Sequence, residues 1–343
     1  MTSTQKGGPG APRSNSDKPT LRTIAEITGL AVTTVSRALG GAPQIALETR
    51  QRVQRVADEI GYLPDRAAQR LRTGRTNVIS LVLDPHEEIL NFGTSIIKGL
   101  TEALRGTPYH LVITPHFRNE PPIVPVRYIL RNRMADGIIF SRTEPFDARV
   151  KLLLEEDFPF VCHGRTELST PHAYVDFDNE RFAYDATKTL IAQGRRKPAI
   201  LLPPPRFTFQ EHMRYGFLKA VRENGAGYEI LEGVTLDSPS EAITAHVAER
   251  LAEPDPPDGY VLGGEVSALA VMAALTDHGL VPGKDAGIVA KKTSNLFTPI
   301  RPQIDTIYED LMEAGAEMGR LLLKRIGGTA PDSLQTLHRP EAR

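Results

Sequence analysis

The chain has 343 residues, 40% of them hydrophobic and 24% charged, with a formal net charge of −1. That length accommodates a small module and a core of two subdomains. The lone Cys162 excludes an intrachain disulfide, and no apolar run is long enough for a membrane-spanning helix. GxSxG, P-loop, HExxH and CxxC patterns are absent, and the 9 histidines lack metal-ligand spacing. Neither an enzyme, a cofactor nor a bound metal is therefore expected. The net charge hides an asymmetry: residues 1–76 carry 12 Lys+Arg against 6 Asp+Glu, and the remainder carries 29 against 36. A basic N-terminal part is the footprint expected where that end touches phosphate.

The first 19 residues contain MTSTQKGGPGAPRSNSDK, which has no apolar segment of the kind found in secretory signals. They read as a disordered tail, and a cytoplasmic location is expected. In LRTIAEITG, Ile24, Ala25 and Thr28 have helical spacing, and Gly29 supplies the positive φ that ends a helix. VTTVSRAL predicts a second helix, with Val35, Ala38 and Leu39 facing the first and Val32, Thr33, Thr34, Ser36 and Arg37 pointing outward. A helix-turn-helix lays its second helix in the major groove of DNA. Arg37 can donate two bonds to a guanine, and Thr33 can reach a base or a phosphate. ALETRQRVQRVADEIG predicts a third helix, with Val53, Val56, Ala57 and Ile60 inward and Arg50, Arg52 and Arg55 outward. PDRAAQRLRTG follows, with Pro64 at a first helical position and Gly74 just past the end. An isolated helix shorter than ~12 residues is marginal in water, so this linker is expected to be disordered until something holds it.

After Thr76 the pattern changes to alternating strands and helices. NVISLVLD is a continuous β-branched run, and NFGTSIIKGLTEALRG is amphipathic, with Ile96, Ile97, Leu100 and Leu104 on one stripe. Strands YHLVITP, DGIIFS and PFVCHGR follow, separated by IVPVRYILRNRMA, helical after Pro125, and by ARVKLLLEED. A second round begins at DNERFAYDATKTLIAQGRRK, with strands PAILLPP, YEILEGV, DGYVLGG and AGIVAKK. The alternation predicts an α/β fold of two doubly wound parallel-sheet subdomains. Ligands of such sheets bind beyond the carboxyl ends of the strands. The candidates there are Asp84, Ser141, His163, Arg165, His212, Glu265 and Lys292, with Asn91 and Phe92 on a nearby loop. Each is also compatible with a surface or capping role. The chain has no tryptophan, so Phe92, Phe207, Phe209 and Phe297 are the available aromatic platforms.

GLAVTTVSRALGG, then ETRQRVQRVADEIGYLPDRAAQRLRTGRTNVISLVLD, resembles the lactose-repressor (LacI/GalR) family of bacterial transcription regulators. Helix-turn-helix, third helix, Tyr-x-Pro, hinge and first core strand occur in the family's order, and a weaker resemblance runs through nearly all the rest. The resemblance implies a homodimeric, ligand-responsive repressor on a palindromic operator. It places DNA contacts at Thr23, Val32, Thr33, Thr34, Ser36 and Arg37 in the head. In the hinge it places them at Arg66, Ala68 and Leu71, the last as an apolar wedge in the minor groove. It implies a periplasmic-binding-protein-like core divided at about 77–176 plus 303–326, and about 177–302 plus 327–343, behind a head at 20–63 and a hinge at 64–76. No leucine heptad follows Gly328, so nothing points to a tetramer.

The resemblance is disturbed at named positions. Ala31 stands where the family has a Ser or Thr N-cap, at a cost of roughly 0.5–2 kcal/mol in local stability. Met213 replaces an Arg three before Gly216, Gly264–Glu265 replaces an Asn-Asp pair, and Lys291 and Lys292 stand where an acidic residue is usual. Glu265 can still accept bonds from hydroxyls. Lys292 permits an anionic or phosphorylated effector, and a Lys–Glu265 pair with no ligand role fits equally well. A carbohydrate or sugar derivative is the effector the family implies. A solute-binding protein or a sugar-modifying enzyme of the same core fold are the alternatives.

Overall fold

The computed structural model describes residues 19–63, 74–84, 88–117 and 119–340. The chain forms two compact units, Met1–Thr76 and Asn77–Arg343.

In the first unit, α1 (Leu21–Thr28), α2 (Val32–Leu39) and α3 (Leu47–Glu59) enclose a small core. Helix α1 starts at a capping box: Thr23 N donates to Thr20 Oγ1 at 3.3 Å, and Thr20 N donates to Thr23 Oγ1 at 3.1 Å. It ends at Gly29, whose φ of 68° suits a residue without a Cβ. The Arg52 guanidinium of α3 donates to the Thr28 carbonyl at 3.0 Å, satisfying an acceptor that the helix end leaves open. Ile24, Val35 and Val53, one from each helix, are fully buried against one another. Each contributes on the order of 1.5–3 kcal/mol on leaving water, enough to hold a three-helix module together.

The second unit is built on two parallel sheets. The first contains β1 (Val78–Leu83), β2 (His110–Pro115), β3 (Gly137–Ser141), β4 (Phe160–His163), β5 (Tyr174–Phe177) and β11 (Gln335–His338), in the order β11-β5-β4-β3-β1-β2. The second contains β6 (Pro198–Leu201), β7 (Glu229–Ile230), β8 (Gly259–Leu262), β9 (Gly287–Lys292) and β10 (Asp305–Tyr308), in the order β10-β9-β8-β6-β7. Strands β3, β6 and β8 are buried at every residue. Such strands read as unbroken apolar runs because helices cover both faces. The helices are α4 (Phe92–Leu104), α5 (Ile123–Asn132), α6 (Ala148–Glu155), α7 (Asn179–Ala192), α8 (Thr208–Asn224), α9 (Ser240–Ala252), α10 (Glu265–Asp277) and α11 (Leu311–Ile326). Among the described residues no helix is long and apolar enough to cross a membrane.

Two assignments of chain to subdomain differ from the expected ones. Residues 303–326 were expected in the first subdomain, but β10 lies parallel to β9 in the second sheet, with Tyr308 opposite Lys292. The crossover therefore falls between Tyr308 and Leu311. Residues 327–343 were expected in the second subdomain, but β11 pairs with β5 in the first sheet, with His338 opposite Phe177. Both are four-residue edge strands of middling burial. A short strand with one open edge carries no apolar run to say which sheet it joins. Helix α5 also begins before Pro125, which lies in its first turn, where the missing N–H costs nothing.

Helix α11 returns to pack on α4, and their backbones nearly touch. A Cβ on Gly99 would lie 2.0 Å from the Met312 carbonyl oxygen and 2.5 Å from Ala316 N. Gly99→Val should therefore push the two helices apart and destabilise the core by about 1–3 kcal/mol or more. A urea midpoint equal to that of the unsubstituted protein would show the contact to be looser than described.

Candidate functional site

In the head, α2 presents a continuous outward face. Val32, Thr33 and Arg37 are exposed, Thr34 and Ser36 are half-buried, and Val35 and Ala38 turn into the core. Five of the predicted DNA contacts thus share one helix surface. Ala31 gives the first turn of α2 no side-chain acceptor, which leaves its N–H groups to an outside acceptor such as a phosphate oxygen. Thr23 differs: it is half-buried and its hydroxyl is engaged in the α1 capping box. Arg66, Ala68 and Leu71 lie outside the described residues.

In the core, a cleft opens between the two sheets, at the carboxyl ends of their strands. Phe92, Ser141, His163, Arg165 and His212 all border it. Ser141 and His163 close β3 and β4, Phe92 opens α4, and His212 stands on the first turns of α8. Ile89, Phe92, Phe209 and Leu236 supply its apolar wall.

The other five candidates are placed elsewhere. Asp84 and Asn91 line a separate groove beside the start of α4. Met213 is fully buried in the second subdomain's core, because the helical turn after His212 carries it inward. Glu265 is fully buried and acts as a clasp: its carboxylate accepts from Leu90 N at 3.1 Å, Thr293 N at 2.9 Å and Ser294 Oγ at 2.8 Å. Its oxygens are thereby taken up by the protein, and no lysine is among these partners. Lys292 does not border the cavity; its neighbour Lys291 does. Side chains alternate along a strand, so a displacement of one residue on β9 moves the ammonium to the opposite face.

Residues beyond the predicted set complete the lining. Lys291 Nζ lies 2.9 Å from Glu309 Oε2 and donates to Asn179 Oδ1 at 2.6 Å. Arg165 Nε lies 3.3 Å from Asp176 Oδ2. Arg142, on the loop after β3, pairs across the cleft with Asp237 of the second subdomain, and its guanidinium carbon stands 4.2 Å from the centroid of the Phe207 ring. The buried pair Asp147–Arg149 supports this arm, because Arg149 donates to the carbonyls of Ser141 at 3.2 Å and Arg142 at 2.9 Å. Burial raises the Asp147 carboxyl, but the bonds and charge of Arg149 outweigh it and leave the pKa below the ordinary value. Burial, followed by the charge of Arg165, lowers His212 to about 4, so its ring is neutral at physiological pH. Burial also lifts Asp176 to about 7 against the pull of Arg165.

Each cleft cation among the described residues thus faces an acidic side chain, while hydroxyl and imidazole groups stand beside aromatic surface. The arrangement suits a ligand rich in hydroxyls with no net charge. The signals for Arg142 and Lys291 were adjacent to Ser141 and Lys292. Asp237 and Glu309 sit on loops, where sequence periodicity says nothing about direction.

Comparison with known proteins agrees with this architecture. Residues 20–65 match the family of bacterial regulatory proteins known as the lacI family, and residues 187–342 match the periplasmic binding protein-like domain. The HTH-type transcriptional regulator AglR of Rhizobium meliloti (strain 1021) is 31% identical over 342 residues, covering 94% of this chain and 92% of that protein. Among solved structures, the lac repressor dimer bound to operator and the anti-inducer ONPF superposes with a TM-score of 0.78 at 21% identity, covering 94% of this chain and 97% of the other. The complex of the transcriptional regulator CelR with cellobiose gives 0.66 at 24% identity, covering 94% and 98%. With a head that offers one reading face and a core that offers one inter-sheet cleft, matched to AglR over nearly its whole length, the chain belongs to the LacI family of helix-turn-helix transcriptional regulators, which are not enzymes.

Proposed function

We propose that this regulator is a cytoplasmic repressor that binds a palindromic operator as a dimer and is controlled by a neutral saccharide in the inter-sheet cleft. The observation that carries the effector reading is the pairing of the cleft's arginines and lysine among the described residues. Arg142 faces Asp237, Arg165 faces Asp176 and Lys291 faces Glu309. A phosphorylated sugar would have to compete with the acidic group already facing each cation, whereas neutral hydroxyls can bond to the groups as they stand. The cellobiose bound by the related CelR supports the same class. Thermal-shift screening of the full chain should therefore show stabilisation by one or more of cellobiose, maltose, melibiose and sucrose, with their 6-phosphates weaker. Stabilisation by the phosphates alone would reverse the assignment.

The dimer reading rests on β2, which is an edge strand of the first sheet with no further strand beside it among the described residues. Val112 is 42% exposed and Ile113 is 48% exposed there, with Phe117 and Tyr128 also exposed. An apolar open edge is a surface that natural proteins cover, and a second copy of this chain is the symmetric way to cover it.

For the DNA reading, Arg37→Ala should cost roughly 1–3 kcal/mol at one base pair of each half-site and relax sequence preference there. The check is a competition series with single-base operator variants. Unaltered discrimination at every position would remove Arg37 from base recognition.

A further inference from the structure

The saccharide reading leaves one buried group of the cleft without a role. Glu88, on the loop after β1, is 5% exposed and borders the cavity. Its Oε1 accepts a 2.6 Å hydrogen bond from Ser267 Oγ on α10. Its Oε2 has no hydrogen-bond partner among the described residues. The Glu88 backbone carbonyl accepts from Val266 N at 3.2 Å, so the residue is held to the second subdomain by main chain and side chain together. Space for the carboxyl exists because position 264 is glycine. A Cβ there would lie 2.2 Å from Glu88 Oε1. Glu88 thus occupies, from the first subdomain, the volume that a side chain at 264 would fill.

The charges around Glu88 decide its form. Asp237 and Glu265 both act on it as like charges. Arg142, Arg165 and Lys291 are engaged with Asp237, Asp176 and Glu309, while His163 stands 3.7 Å from Glu309 and His212 is neutral. Burial first, and these carboxylates after it, raise the Glu88 pKa to about 8 despite the bond from Ser267. A buried carboxyl with no counter-ion keeps its proton. With Oε1 engaged by Ser267, Oε2 is the oxygen that has no protein partner among the described residues.

We propose that Glu88 is a specificity-determining contact of the cleft: its Oε2–H donates a hydrogen bond to an ether or hydroxyl oxygen of a neutral saccharide, and effector affinity is tied to the proton on this carboxyl. The inference rests on the saccharide reading. The donor is present below the folded-state pKa and is lost as pH rises through it. Above it an uncompensated anion faces Asp237 and Glu265, which would favour an amino sugar instead.

Calorimetric titration of the full-length protein with cellobiose, maltose, melibiose and sucrose, and with the glucosamine disaccharide, from about pH 6 to about pH 10 tests this. The neutral disaccharide that binds should keep constant affinity to about pH 8 and then lose about tenfold per pH unit. Glu88→Gln should flatten that alkaline fall, and Glu88→Ala should weaken binding roughly tenfold at neutral pH. Asp176→Asn, at a group that titrates lower, should leave the alkaline fall in place. Should the Glu88 variants not fold, the infrared carbonyl band of a protonated carboxylic acid in the Asp176→Asn protein must persist at neutral pH and shift when the disaccharide binds. Binding with a flat pH profile, or affinity that rises with pH, would overturn the donor role and leave the saccharide reading intact. No binding of any neutral disaccharide at any pH by the folded protein would overturn both.

Discussion

Replacing Val112 and Ile113 together by lysine is expected to convert the protein to a monomer and to lower operator affinity by roughly 10²–10⁴-fold. Both side chains lie on the open edge of the first sheet and are 42% and 48% exposed. Their replacement leaves the fully buried core of the protomer in place, because both side chains are about half exposed. In a dimer that covers this edge, four ammonium groups would be forced together and desolvated. The second head would then cease to be tethered beside the first, and the gain from reading two half-sites at once would vanish. Sedimentation equilibrium gives the mass, and fluorescence anisotropy with an operator duplex gives the affinity. A urea midpoint equal to that of the unsubstituted protein would show that the protomer itself is intact. A variant that still sediments as a dimer and binds operator normally would move the interface to another surface.

The second large effect lies inside the core. Lys291→Met should destabilise the protein by about 3–5 kcal/mol, because it leaves Glu309 as a buried carboxylate without its cation. Glu309 is 5% exposed, and Lys291 Nζ lies 2.9 Å from its Oε2 while donating to Asn179 Oδ1 at 2.6 Å. The ammonium also lies 4.4 Å from the Phe177 ring centroid and 5.2 Å from that of Phe182, contacts that a thioether only partly replaces. Lys291→Met combined with Glu309→Gln removes both charges and should recover most of the loss. A single variant as stable as the original would mean that solvent reaches Glu309, so the pair would no longer bar an anionic effector. Substitution at Lys292, by contrast, should leave saccharide binding nearly unchanged, because that side chain does not border the cavity.

These two cases show where the sequence was informative. The recognition helix was legible because its inward set, Val35 and Ala38, and its outward set, Val32, Thr33 and Arg37, follow helical period over eight residues. The central strands were legible because burial on both faces demands continuous apolar runs such as GIIFS and PAIL. The edge strands β10 and β11 were assigned to the wrong sheets because a short, half-solvated strand is placed by its backbone neighbours, not by its side chains. Within the site, strand ends gave Ser141 and His163 directly, since strand registry fixes where a sheet stops. Lys291 was missed by a single residue, and on a strand that error inverts the face. Glu265 was misread because a buried carboxylate can be satisfied entirely by backbone N–H groups and hydroxyls, and nothing in a linear sequence distinguishes such a clasp from a ligand contact. Glu88 lies in the loop that joins β1 to α4, and its importance arises from Gly264 and Ser267, nearly two hundred residues away.

On the proposed function, occupancy of the inter-sheet cleft by a neutral saccharide changes what the head does on DNA. Selection of bound duplexes from a random library by the full chain, repeated with and without the stabilising disaccharide, measures both halves of that claim at once. A two-fold symmetric site should be enriched, and its occupancy should change roughly 5–150-fold on adding the sugar, the ordinary range of allosteric coupling. Enrichment of no sequence, or of one whose occupancy is the same at every sugar concentration, would contradict the proposed function.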